Sequence, residues 1–116
     1  MFYEFKNKAS NPHIPEVTDV TPEEVYEQKA NLYLVDVRED SEYSSGHAPT
    51  THHVRLGTIP ENLAGFPRDK TIVFICRSGG RSAQASMYAL QEGFTHVYNM
   101  HGGMLLWNDL DLPVEN

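Results

Sequence analysis

The sequence contains a single cysteine among its 116 residues. One thiol cannot form an internal disulfide, and a lone free thiol suits a reducing compartment. The chain also lacks any apolar run near the roughly 18 residues that a membrane span needs. Residues 1–17 hold no apolar core of the signal-peptide type. These absences predict a cytoplasmic protein with no membrane partner.

Positive charge is scarce as well. Nine lysines and arginines face 16 aspartates and glutamates, which gives a formal net charge of -7. Such a chain repels nucleic acid and anionic membranes, so we predict no nucleic-acid partner. An anionic substrate would need a local positive site that overrides this field.

A metal site is not expected from the six histidines. His52 and His53 are adjacent, and neighbours on a strand point to opposite faces, which is poor geometry for shared ligation. No motif in the chain indicates an organic cofactor. We therefore predict a protein that works without metal or cofactor.

Length and composition fit one globular domain. A hydrophobic share of 40% and a charged share of 22% are typical of a folded chain. Residues 1–14 are polar and aperiodic, so we predict a loose N-terminal arm followed by a domain over residues 15–116, with a short strand near Val17. A helix then begins after Thr21, with Pro22 at its first position and Glu24 completing a capping box. We expect it to end near Ala30.

Strands and helices alternate along the rest of the chain. Short apolar runs predict strands, and glycines end the helical stretches that follow them. The predicted strands cover residues 32–37, 52–56, 71–75 and 96–100, and the predicted helical segments cover residues 39–45, 59–66, 80–92 and 102–110. This alternation indicates an α/β fold with a central, mostly parallel sheet flanked by helices on both faces.

The single cysteine directly follows the strand TIVFI, in the stretch FICRSGGRS. Ligands of open α/β sheets bind at the carboxyl ends of strands. Gly79 and Gly80 permit positive φ angles, and a glycine-rich turn at a helix start presents backbone N–H groups to an anion. Together with Arg77 and Arg81, this setting favours a thiolate at Cys76.

Two readings of the cysteine compete. A lone cysteine is often buried filler in the core, but its place between a strand, a glycine-rich loop and a helix favours a nucleophile. A thiolate in an anion-binding loop suits either attack on a phosphate ester or the carriage of a sulfur atom as a persulfide.

Three ordered motifs surround Cys76 and resemble the rhodanese family of sulfurtransferases. CRSGGRS is similar to the family's active-site loop, LVDVREDSEYSSGHAP to its first signature, and VYNMHGGMLLWNDLDLPV to its C-terminal signature. The resemblance covers about residues 15–114. It implies a rhodanese-like fold and transfer of sulfane sulfur from a donor such as thiosulfate to cyanide or a thiol.

The resemblance also assigns roles to residues. Cys76 would be the nucleophile and persulfide carrier, Arg77 would meet the donor's anionic group, and Arg81 would hold the loop in shape. Asp36 and Arg38 match the family's acid–base pair and would support the loop, unless they form only a structural ion pair. The amides that would cradle the persulfide belong to Arg77, Ser78, Gly79, Gly80, Arg81 and Ser82.

Alternatives remain open at this point. Related phosphatases and arsenate reductases carry a C-x5-R loop, whereas Cys76 to Arg81 is C-x4-R, a shorter ring that suits one sulfur atom better than a phosphate. A second alternative is a non-catalytic module that binds partners or senses oxidants through its thiolate. For the enzyme, the acceptor is a small thiol, cyanide, or a thioredoxin-like or sulfur-carrier protein.

One stretch departs from the family pattern. The first signature usually continues G-H-I-P-G-A, but this chain reads GHAPTTHHV. Ala48 stands in place of isoleucine and Thr50 in place of glycine. We expect this loop to adopt a different turn or to line the site differently.

Overall fold

A six-stranded sheet forms the centre of the protein in a computed structural model, which describes residues 1–116. None of its helices is both long and apolar enough to cross a membrane. The strands are β1 (Lys8–Ser10), β2 (Thr18–Val20), β3 (Leu32–Asp36), β4 (Thr51–His53), β5 (Thr71–Ile75) and β6 (Val97–Met100). The helices are α1 (Pro22–Gln28), α2 (Asp40–Ser44), α3 (Ile59–Asn62), α4 (Gly80–Gln91) and α5 (Gly103–Asp109), with short 3-10 turns at Lys29–Asn31, Leu56–Thr58 and Leu63–Gly65.

The strand order is β1-β2-β6-β5-β3-β4. Every neighbouring pair is parallel except β1 with β2. The predicted mostly parallel sheet is therefore confirmed. Strand β5 lies inside the sheet between β6 and β3, and all five of its residues are buried. The carboxyl end of β5 therefore lies between the ends of its neighbouring strands, where a ligand can approach the residues that follow.

Each face of the sheet carries its own apolar core. Ile72 and Phe74 point to the face covered by α3 and α4, whereas Val73 and Ile75 point to the face covered by α1 and α5. This alternation is the period of two expected of a strand buried on both sides. Trp107, fully buried on the α5 side, belongs to the second core. The prediction of helices on both faces is confirmed.

The start of α1 follows only half of the predicted capping box. Thr21 Oγ1 accepts a hydrogen bond from the Glu24 amide at 3.3 Å. The Glu24 carboxylate does not return the bond; it accepts instead from the Tyr3 hydroxyl at 2.5 Å and from the amides of Lys6 and Asn7 at 2.8 and 3.0 Å. The reciprocal half of the box was wrong because the N-terminal segment offers this buried carboxylate more donors.

These contacts change the titration of both partners. Burial raises the pKa of Glu24, but the hydrogen bonds from Tyr3, Lys6 and Asn7 outweigh it and leave the pKa lowered. The same hydrogen bond, reinforced by burial and by the charge of Glu24, raises the pKa of Tyr3 to about 12. Glu24 therefore stays ionised, and Tyr3 stays protonated, over a wide pH range.

The N-terminal segment is not a loose arm. Residues Lys8–Ser10 form an edge strand antiparallel to β2, and Phe5 is buried in the second core. The backbone carbonyl of Tyr3 accepts a hydrogen bond from Thr71 Oγ1 at 2.9 Å. The prediction failed because all three β1 residues are exposed, so the strand shows no hydrophobic alternation and is defined by pairing alone.

The loop that departs from the family pattern contains a threonine with a positive φ. Thr50 has a φ of 64°, in the left-handed region that glycine adopts without steric cost. A β-branched residue is strained in this region, so the exposed Thr50 carries backbone strain in this loop. Ala48, the other departure, is fully buried in the second core.

Candidate active site

Cys76 follows β5 and continues its alternation onto the α3 and α4 face. The residue is 1% exposed. The sulfur accepts a hydrogen bond from the Gly79 amide at 3.0 Å and lies 3.2 Å from Ser82 Oγ. The thiol thus has two hydrogen-bonding neighbours although Cys76 packs in the apolar core under α3 and α4. Simple filler would need no such partners.

The loop after the cysteine turns back on the sulfur through Gly79. This residue has a φ of 110° and caps the start of α4. Both glycines permit a positive φ, and Gly79 alone adopts one, since Gly80 has no positive φ. The amides of the loop other than Gly79 make no hydrogen bond within the protein: Arg77, Ser78, Gly80, Arg81 and Ser82. At the positive end of a 12-residue helix, these donors are available to an anion.

The glycine pair Gly102 and Gly103, at the start of α5, packs against the backbone of the loop. Gly103 begins α5 with a φ of 56°, and a Cβ there would lie 2.5 Å from the carbonyl carbon of Arg77. The following amides donate to this loop, Met104 to the Cys76 carbonyl at 2.9 Å and Leu105 to the Arg77 carbonyl at 3.0 Å. The glycine is required because the helix start rests directly on the loop backbone.

Arg81 is held from outside the loop by Glu42 of α2. Two side-chain hydrogen bonds of 2.7 and 2.8 Å join the guanidinium to both carboxylate oxygens. This bond lowers the pKa of Glu42 to about 2 despite partial burial, and it raises the pKa of Arg81, with the charge of Cys76 as a smaller contributor. Sequence reasoning named Arg81 but missed Glu42, although it stands within the first signature.

Asp36 and Arg38 lie close together and are both buried. Arg38 Nη2 is 2.9 Å from Asp36 Oδ2, and the same nitrogen donates to the Gly46 carbonyl at 2.8 Å. Neither side chain forms a hydrogen bond to the loop after Cys76. The pair fixes the segment that follows α2, and its expected support of the active loop stays a prediction.

Arg77 is exposed beside a cavity of about 480 Å³. Arg38 and Glu42 also line this cavity, as do the apolar Met104 and Leu105. Arg77 makes no ion pair, whereas the charges of Arg38 and Glu42 are both matched by partners. The cavity therefore offers one unmatched cation next to the cysteine.

A chain of buried polar side chains leads from the cysteine across the α4 face of the sheet to β2 and the N-terminal segment. Ser82 Oγ, next to the sulfur, forms a short hydrogen bond to Asn99 Oδ1. Asn99 Nδ2 donates to Asp19 Oδ1 at 2.9 Å, and Asn11 Nδ2 donates to the same oxygen at 3.0 Å. Sequence reasoning missed Asn99 and Asp19. The available signal for Asn99 was a polar residue inside a short, otherwise apolar strand segment.

The histidines are distributed among other contacts. His52 stacks on Tyr33 while His53 stacks on Tyr43, as expected of neighbours on a strand. His101 is largely exposed, and its Nδ1 lies 3.6 Å from Asp19 Oδ2. The structure contains no group of three or more histidine, cysteine, aspartate or glutamate side chains placed to hold a metal ion.

Comparison with known proteins gives consistent matches over most of the chain. The Rhodanese-like domain family matches residues 21–110. Putative sulfurtransferase YtwF of Bacillus subtilis is 44% identical over 100 residues, which are 86% of this chain and 96% of that protein. Thiosulfate sulfurtransferase GlpE of Pseudomonas aeruginosa is 29% identical over 92 residues, 78% of this chain and 84% of the relative.

Solved structures agree. A rhodanese-related protein from Thermoplasma volcanium matches with a TM-score of 0.79 at 27% identity, over 84% of this chain and 96% of that one. The protein SSP1007 of Staphylococcus saprophyticus matches with a TM-score of 0.75 at 33% identity, over 84% of this chain and 98% of that one. Both neighbours share the fold over nearly their whole length.

Proposed function

This chain belongs to the rhodanese-like family, and we propose that it is a sulfurtransferase that carries sulfane sulfur as a persulfide on Cys76. The observation that carries the proposal is the cysteine loop itself: the sulfur accepts a hydrogen bond from the Gly79 amide, and the other amides of the same loop have no acceptor in the protein. The relatives named as sulfurtransferases, YtwF and GlpE, support the reaction class.

The first half-reaction is a displacement at sulfur. The Cys76 thiolate attacks the outer sulfur of a donor such as thiosulfate, and a new bond forms from Sγ to that atom. The sulfur–sulfur bond of the donor breaks, and its electron pair leaves with sulfite. The negative charge moves from Sγ to the terminal sulfur of the persulfide, toward the free amides at the start of α4.

The second half-reaction returns the thiolate. Cyanide or a thiolate acceptor attacks the terminal sulfur of the persulfide, the bond to Sγ breaks, and its electron pair remains on Cys76. The product is thiocyanate or an acceptor persulfide. No metal or organic cofactor takes part in either displacement, because the cysteine is both nucleophile and leaving group.

In this proposal, Arg77 binds the anionic group of the sulfur donor. Its guanidinium is exposed beside the cavity and has no carboxylate partner, so it can pair with the anionic group of thiosulfate. The cavity of about 480 Å³ has room for a small molecule, and we propose a small thiol, or the cysteine of a thioredoxin-like or sulfur-carrier protein, as the acceptor. The lone thiol further supports a reducing, cytoplasmic setting.

Intact-mass measurement tests the proposal directly. The purified protein is incubated with thiosulfate, and a second portion is then treated with cyanide. We expect a gain of one sulfur atom, lost on cyanide with release of thiocyanate. A folded protein whose free thiol gains no sulfur would contradict the proposal. Turnover of an aryl phosphate would then indicate the phosphatase alternative, and its absence would favour a binding or redox-sensing module.

A further inference from the structure

The hydroxyl of Ser82 has more acceptors than protons. It lies 3.2 Å from the Cys76 sulfur and 3.3 Å from the Gly79 carbonyl, and it forms the short bond to Asn99 Oδ1. A serine hydroxyl carries one proton and two lone pairs, so it can donate to only one of these groups at a time. Ser82 is fully buried, and the direction of its proton is consequently set by its neighbours.

Asp19 fixes the orientation of Asn99. A carboxylate only accepts hydrogen bonds, so the atom of Asn99 that faces Asp19 at 2.9 Å must be the NH2 group. The amide oxygen of Asn99 is thereby turned toward Ser82. Asn11 Nδ2 donates to the same carboxylate oxygen, and His101 Nδ1 stands 3.6 Å from the other oxygen, so Asp19 is itself held in place.

We infer that Asn99, oriented by Asp19, is a positioning residue that competes with the Cys76 sulfur for the single proton of Ser82. This inference rests on the proposed role of Cys76 as the reacting thiol. Ser82 touches the reacting atom and is catalytic, whereas Asn99 and Asp19 act through it. The competition determines how much of the resting enzyme stands as reactive thiolate.

The direction of the Ser82 proton then follows the charge on the sulfur. In the thiol form, S–H donates to Ser82 Oγ, and Ser82 donates to Asn99. When the thiol proton leaves to solvent, Ser82 turns its proton to Sγ, and Asn99 Oδ1 loses its donor. When the persulfide forms, the charge moves to the outer sulfur and the proton of Ser82 returns to Asn99. The thiolate form of Cys76 therefore lacks the hydrogen bond from Ser82 to Asn99.

Other charges near the sulfur must be kept constant in a test. Arg81 interacts with Cys76 through its charge, and Glu42 partly neutralises Arg81. Arg77 is the next residue in the chain, and His101 lies at the far end of the network beside Asp19. Replacing Asn99 alters none of these charges, which makes it the cleanest position to change.

The experiment measures the rate of alkylation of Cys76 by iodoacetamide as a function of pH, in the full chain without any sulfur donor. Asn99→Val suits the strand and removes the competitor. We expect the midpoint to move to lower pH and the thiolate fraction at neutral pH to rise about fivefold, the equivalent of one ordinary hydrogen bond. Ser82→Ala should move the midpoint to higher pH.

The double variant decides between competition and simple loosening. With Ser82→Ala already present, Asn99→Val should have no further effect on the midpoint, because there is no proton to compete for. Ser86→Ala is the matched control: it removes a buried hydroxyl one turn along α4 that bonds the Ser82 carbonyl, outside the network, and the midpoint should stay. A midpoint that rises or stays fixed in Asn99→Val would overturn the inference.

A second route is available if Asn99→Val does not fold, as thermal unfolding would show. Asp19→Ala lets the Asn99 amide rotate and present its NH2 group to Ser82, with the same expected direction. The midpoint shift caused by Asp19→Ala should disappear when Ser82→Ala is also present, and the part that disappears measures the competition for the Ser82 proton. A shift of the same size with and without Ser82 would contradict the inference. Alkylation needs neither donor nor acceptor, so the outcome is independent of whether Cys76 takes up sulfur in the mass experiment.

Discussion

Glu42 and Arg81 form a two-pronged ion pair although 39 residues separate them in the sequence. The bond ties α2, which lies within the first signature, to the first turn of α4, which follows the active loop. Because the guanidinium is planar and its two donors match the carboxylate, the pair fixes a direction as well as a distance. The loop is therefore braced at Arg81 from outside, while Gly103 supports it from behind.

Loss of that brace should affect rate and stability together. We expect Glu42→Gln to lower the rate of sulfur uptake about tenfold, because the loop amides lose their fixed geometry, and to reduce the free energy of unfolding by about 1 kcal/mol. Steady-state kinetics and urea unfolding measure the two effects. Glu61→Gln is the control, since this exposed acid of α3 makes no ion pair; an equal loss in both variants would mean that the pairing with Arg81 is unimportant.

The same pair predicts a pH dependence of stability. The pKa of Glu42 is about 2 in the folded protein against an ordinary value of 4.5. The unfolded chain thus binds this proton more readily, so the contribution of Glu42 is complete above about pH 4.5 and is lost as the pH falls toward 2. The difference in unfolding free energy between the wild type and Glu42→Gln should shrink over that window. A difference that stays constant would show that the carboxylate charge does not act through Arg81.

Cys76→Ser should abolish sulfur transfer and keep the fold. A serine hydroxyl is nearly isosteric and can accept the hydrogen bond of the Gly79 amide, so we expect the free energy of unfolding to change by no more than about 1 kcal/mol. Thiocyanate formation and thermal unfolding measure the two properties. Residual turnover of thiosulfate and cyanide by a folded Cys76→Ser protein would refute the mechanism.

Arg77→Ala should discriminate between donors by charge. We expect the KM for thiosulfate to rise about tenfold, because an exposed but well-placed cation–anion contact is lost, with a smaller change for an uncharged sulfane-sulfur donor. Arg55→Ala removes the same charge at a residue that does not line the cavity and controls for the net charge of the protein. Equal losses for charged and neutral donors would show that Arg77 does not recognise donor charge.

Thr50→Gly should stabilise the protein. The threonine has a φ of 64°, which costs a β-branched residue about 1–2 kcal/mol, and glycine returns part of that gain as unfolded-state entropy. We expect a net increase of about 0.5–1 kcal/mol by chemical denaturation. Asp111→Gly is a matched control with a φ of 56°; aspartate tolerates this region better, so its gain should be smaller. A loss of stability in Thr50→Gly would mean that the threonine side chain contributes more than its backbone costs.

The sequence was sufficient for the parts of the site that are contiguous in the chain. Strand, cysteine, glycine turn and helix follow one another over residues 71–91, and each is governed by local rules of burial, positive φ and capping. Glu42 and Asn99 were missed because their roles depend on contacts to α4 from other elements. The N-terminal edge strand was missed for the same reason: its side chains are exposed and only its backbone pairing with β2 defines it.

The pairing of β1 with β2 has a consequence for where this protein can be divided. The family match begins at residue 21, yet Phe5 fills a place in the core and Asp19 lies at the end of the polar chain from Cys76. The twenty residues before the match thus contribute an edge to the sheet and a charge to the catalytic neighbourhood. A boundary drawn by family resemblance would separate residues that pack together. A domain that began at residue 21 would lack Phe5 in its core and would lack Asp19, which orients Asn99 toward Ser82.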